Sequence, residues 1–94
     1  MIEWTEQAVE QLAHAHDYMA LSGGAEVAKR ITVHIVDSIQ QLASFPMSGR
    51  PGRIANTREL VIPRTPYIAV YTIDGEPIII LALFHGAQRW PKDF

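Results

Sequence analysis

The chain has 94 residues, 48% of them hydrophobic and 19% charged, with no cysteine and a formal net charge of −2. That composition excludes a disordered chain, a disulfide scaffold and thiol chemistry, and the length suits one small domain, residues 1–94, built on a single core. No apolar run is long enough to span a membrane, and Glu3 and Glu6 stand where a secretory leader would be basic and then apolar, so a cytoplasmic protein is expected.

Ile2 and Trp4 fall on one side of a short extended segment, a first strand. Thr5 then supplies a hydroxyl to cap a helix, and Glu6 suits its positive end. Ala8, Leu12, Ala15 and Met19 repeat at helical spacing, while Glu6, Glu10, Gln11, His14 and Asp17 mark the opposite face. Gly23-Gly24 ends this helix, since glycine enters the left-handed region at no steric cost. A second helix is predicted from about Ala25 to Phe45, with the stripe Val27, Ile31, Ile35, Ile39, Leu42 and Phe45, broken by Pro46. So short a link makes the two helices an antiparallel hairpin.

Residues 46–57, PMSGRPGRIANT, read as a loop. Three apolar runs follow between Arg58 and His85, separated by Pro63, Pro66 and the hairpin turn Asp74-Gly75. The last, Ile78 to Phe84, is apolar throughout, as expected of a strand covered on both faces inside its sheet. Trp90 and Phe94 in the tail either fold back or wait for a partner. The expected fold is α+β in the order β-α-α-β-β-β. An antiparallel sheet of about four strands carries the N-terminal helical hairpin on one face and leaves the other open to a substrate or partner.

Charge is distributed unevenly. Before Gly49 there are two basic and six acidic residues; from Gly49 onward there are six basic and four acidic. Five of those six are arginines, whose planar forks suit phosphate or carboxylate. His85 follows the apolar strand, where a histidine serves either as a general acid or base or closes the core by bonding backbone. Arg58, Arg64 and Arg89 are expected at strand ends near it. With no metal-ligand spacing and no cofactor motif, such a set suits metal-free cleavage of RNA by its own 2′-hydroxyl. Arg50, Arg53, Tyr67 and Tyr71 are candidate substrate contacts, the tyrosines by stacking, although tyrosines at such positions are more often core. Glu59 is expected on the sheet face opposite Arg58.

The segments EWTEQAVEQL, SGRPGR, TRELVIP, TPYIAVYTI and LALFHGAQRW together resemble the RelE/ParE superfamily of bacterial toxins over nearly the whole chain. The resemblance implies a small cytoplasmic toxin encoded with an antitoxin that wraps and blocks it. It also implies one of two mechanisms: ribosome-dependent mRNA cleavage, as in RelE-like members, or poisoning of DNA gyrase without catalysis, as in ParE-like members. A histidine at the end of the last strand is common to both. An inert member that only binds its antitoxin is the third possibility. The expectation taken forward is an mRNA interferase with His85, Arg64, Arg58 and Arg89 at its centre, and gyrase inhibition as the alternative.

Overall fold

The structure, a computed structural model, describes residues 1–91. Its elements are β1 (Ile2–Trp4), α1 (Glu6–Gly23), α2 (Ala25–Gln40), β2 (Arg50–Pro51), β3 (Arg58–Val61), β4 (Tyr67–Ile73) and β5 (Ile78–His85), with a 3-10 turn at Gln41–Ala43. The strands form one sheet in the order β1-β5-β4-β3-β2. This is the expected α+β architecture with two differences. The sheet has five strands, because Arg50–Pro51, read as loop, adds a short edge strand; proline is tolerated there because an edge strand need not donate on its outer side. The sheet is also mixed, since β1 runs parallel to β5, pairing Ile2 with Ile78 and Trp4 with Ile80. Three residues carry no signal for the direction in which they pair.

Thr5 turns the chain from β1 into α1. Its side-chain oxygen accepts the amide of Ala8 at 3.1 Å, as the sequence predicts of a cap, and its hydroxyl donates to the carbonyl of Leu81 at 3.0 Å. That carbonyl belongs to a bulge. Val70 pairs with Ala82 and Tyr71 with Ile80, so Leu81 is the extra residue on β5 and its backbone has no ladder partner to spare. One side chain therefore caps a helix and completes an irregular strand.

Only Gly24, at φ 91°, separates the helices, and its amide closes α1 on Ala20. The stripes pack on each other and on the sheet: Ala8, Ala15 and Met19 from α1, with Ala28, Ile35 and Ile39 from α2, join Tyr67, Ala69, Tyr71, Ile78, Ile80 and Leu83. Two helix expectations change. The second helix ends at Gln40, and the tighter 3-10 turn that follows rotates Phe45 off the stripe, leaving it 65% exposed. Gln11, assigned to the solvent face, instead accepts the Leu83 amide at 2.8 Å, a β5 donor beyond the reach of short β1.

The opposite sheet face is not open. Val70, Ala82 and Phe84 are buried there, and Leu81 and Trp90 pack against them. The tail covers what the helices do not. Trp90 thus folds back; Phe94 lies outside the described residues.

Candidate functional site

Glu59 is the organising residue of that second face. Alternation along β3 sends Arg58 to one side and Glu59 to the other, as expected, but Glu59 is only 3% exposed. Its carboxylate accepts Nε and Nη2 of Arg50 at 3.1 and 2.9 Å, and the amide and Nε of Arg53 at 2.8 and 3.2 Å. Burial pushes its pKa up, but the Arg53 amide, the Arg50 and Arg53 side chains and the charge of Arg53 outweigh this and hold it below 4.5. The guanidinium carbon of Arg53 lies 3.6 Å from the centroid of the Trp90 ring, and that ring packs on Phe84 at 4.8 Å. Arg50 and Arg53, read as substrate contacts, are thus tied to the fold, with roughly half of each side chain still in solvent.

Arg58 stands far from His85. It pairs with Tyr71, whereas His85 pairs with Tyr67, four residues away along β4 or about 13 Å at strand spacing. Its Nε and Nη2 donate to the carbonyls of Gly49 and Met47 at 3.0 and 3.3 Å, which staples the loop before β2 to β3. The expected proximity of Arg58 to His85 fails because Arg58 begins β3 and that strand runs antiparallel to β4. Tyr71 is fully buried and offers no face to a base. Its hydroxyl donates to Pro46 at 2.7 Å and accepts the amide of Gly49 at 3.0 Å. Tyr67, also buried, meets the ring of His85 edge-on at 5.6 Å. Burial, with Tyr18 nearby, raises the Tyr67 pKa above 10.0.

His85 is half-buried at the end of β5. Its backbone exchanges bonds with Gln88, the amide donating to Oε1 at 3.2 Å and the carbonyl accepting the Gln88 amide at 3.0 Å. Its Nδ1 accepts the amide of Ala87 at 3.1 Å. A neutral ring so engaged carries its proton on Nε2. That nitrogen is then a donor. Arg64 sits in the β3–β4 turn at the same end of the sheet, beside α2; Arg89 is exposed just past β5. Among the described residues no hydrogen bond or ion pair joins His85 to an arginine. Nor do three His, Asp or Glu side chains converge there in a way that could hold a metal.

The structure therefore joins Arg50 with Arg53 and Tyr67 with His85, sets Arg58 well away from His85, and among the described residues gives Arg64 and Arg89 no bond to it. Sequence reasoning missed two groupings. Glu59 unites the two loop arginines; their flanking of a strand with a single acidic residue was the available signal. His34 donates Nε2–H to Pro63 at 2.8 Å and stands with Arg30 and Arg64 in one depression.

Comparison with known proteins agrees with this architecture. The protein Y4kP of Sinorhizobium fredii (strain NBRC 101917 / NGR234), which carries a toxin designation, is 38% identical over 91 residues, covering 97% of this chain and 93% of that protein. A chain from the chromosomal ParDE TA system from P. aeruginosa superposes with a TM-score of 0.83 at 27% identity, covering 89% of this chain and 92% of the other. The sequence model described as the ParE toxin of the type II toxin-antitoxin system, parDE, matches residues 2–90. With the match running from β1 through Trp90, the chain belongs to the ParE toxin family of type II toxin–antitoxin systems.

Proposed function

We propose that this chain arrests growth by binding DNA gyrase, with no chemistry of its own, and that a cognate antitoxin encoded with it holds it silent. The observation that carries the reading is that several of the groups RNA cleavage would need are engaged within the fold. Metal-free cleavage requires a base, an acid and cations around one phosphate. Here His85 has its Nδ1 committed to the Ala87 amide, Arg58 is committed to loop carbonyls, and Arg50 and Arg53 share Glu59. The likeness to a ParDE toxin supports the same reading over mRNA cleavage. A binding protein needs only a presented surface, and the work would be done in the cytoplasm, where gyrase and its DNA are.

The test pairs two assays. Purified chain is added to a gyrase supercoiling reaction, and RNA 5′ ends are mapped minutes after induction in cells lacking the antitoxin. Inhibited supercoiling with intact messages is expected, unchanged in His85→Ala. New cuts within translated messages, lost in His85→Ala, would instead establish the ribonuclease mechanism.

A further inference from the structure

Arg64 has a φ of 63°, and only one other described non-glycine residue, Asn56, shares that sign. The left-handed region is unfavourable for any side chain with a Cβ. It persists here because the turn is held on several sides. The amide and hydroxyl of Thr65 both donate to Ile62, at 3.3 and 3.0 Å, the Tyr67 amide donates to the Thr65 hydroxyl at 3.1 Å, and His34 reaches across from α2 to Pro63. The effect is to set Arg64 beside α2, where it lines an open depression of about 370 Å³ with Arg30, Ile31, His34 and Thr65.

Neither Arg30 nor Arg64 forms an ion pair among the described residues, whereas Arg50 and Arg53 are both bound to Glu59. Among the described residues two guanidiniums and no carboxylate line this depression. Such a site is electrostatically incomplete and suited to an anion. A second depression of about 360 Å³ adjoins it, sharing His34 and Arg64, and is lined by the apolar Phe45, Leu60, Val61 and Pro63 together with Ser38, Gln41 and Ser48. Phe45 is 65% and Val61 47% exposed. β2 pairs only with Arg58 and Glu59, so no strand lies beside Leu60 and Val61 on that edge. A polynucleotide backbone gains nothing from an apolar floor. A peptide with an acidic residue next to apolar ones complements both parts.

We propose that this groove between α2 and the outer edge of β3 receives an acidic, apolar segment of the cognate antitoxin. Its carboxylate lies between Arg30 and Arg64, and its apolar side chains rest on Phe45 and Val61. The inference takes its occupant from the toxin–antitoxin reading above and adds the place and chemistry of contact.

The full chain is titrated with the protein encoded immediately beside it, as wild type and as the Arg30→Ala/Arg64→Gly double variant. Glycine accepts the positive φ, so the guanidinium is removed and the turn kept. The double variant is expected to bind at least roughly tenfold more weakly, as loss of two charge-assisted contacts implies. Lys29→Ala, which removes the same charge from a position lining neither depression, should bind as wild type. NMR signals of His34 and Phe45 should move on binding. Equal affinities with those signals unmoved would overturn the site and leave the antitoxin reading standing. No binding by the neighbour-encoded protein would overturn both. Movement of the same signals with a short single-stranded RNA, or with chain concentration alone, would give the groove to phosphate or to a second copy and overturn the peptide.

Discussion

Arg53 stacks on Trp90 at 3.6 Å while its amide and Nε both hold the carboxylate of Glu59. One residue thus joins the only buried charged side chain among the described residues to the tail that closes the second sheet face. Trp90→Ala removes the stack and uncovers Phe84, and should lower stability by about 1–3 kcal/mol. Trp90→Phe keeps the packing and discards an indole N–H that is buried with no hydrogen-bond partner among the described residues, so it should cost less than about 1 kcal/mol. Chemical denaturation of the three proteins measures both differences, and equal losses for the two variants would show that the ring packing contributes nothing.

Glu59 sets an acid limit on the fold. Its folded pKa is below 4.5, so between the folded and unfolded values the native chain binds fewer protons. The stabilisation is complete above the ordinary value and is lost as pH falls through the folded one. Glu59→Gln should remove this limb of the pH–stability profile and cost about 2 kcal/mol at neutral pH, because two half-exposed guanidiniums lose their shared partner. Thermal unfolding from pH 7 downward reads the limb directly; a variant that keeps it would move the acid sensitivity elsewhere.

Gly49 lies against Tyr71 because nothing larger fits. A Cβ on Gly49 would stand 2.6 Å from both Cε1 and the hydroxyl of Tyr71, and 3.0 Å from the Glu59 carbonyl. Gly49→Ala should therefore lose about 2 kcal/mol by overpacking. Tyr71→Phe leaves the Gly49 amide and the Pro46 carbonyl without their partner and should lose about 1–3 kcal/mol. Urea midpoints compared with wild type decide each, and a Gly49→Ala protein as stable as wild type would place the loop elsewhere.

Arg64→Gly should match or exceed wild-type stability, by up to about 1 kcal/mol, since glycine adopts a φ of 63° without steric cost. Arg64→Ala retains the Cβ and should gain nothing. A melting temperature lower for the glycine variant than for the alanine one would mean that the turn is not left-handed at this position.

The elements legible in the sequence were those whose signal lies in local spacing. The Thr5 cap, the stripes of α1 and α2, the Asp74-Gly75 turn and the interior place of β5 all follow from periodicity and turn chemistry within a few residues. What escaped depends on partners far along the chain. The direction of β1 is set by a strand 76 residues later, and the side to which Gln11 turns is set by a vacant donor on β5. The site was less readable still. Arginines were counted correctly as a basic group, but their availability is decided by Glu59, by the carbonyls of Gly49 and Met47, and by which end of an antiparallel ladder each occupies.

The pairing of β1 with β5 has a consequence for the order in which the molecule comes into being. The strand made first has no hydrogen-bonding neighbour until the last strand has been made, and Thr5 waits equally long for the Leu81 carbonyl. During synthesis the two helices and β1 are present without the strands on which they rest. Any surface carried by the sheet is absent from the growing polypeptide and is complete only after the final strand slides between β1 and β4.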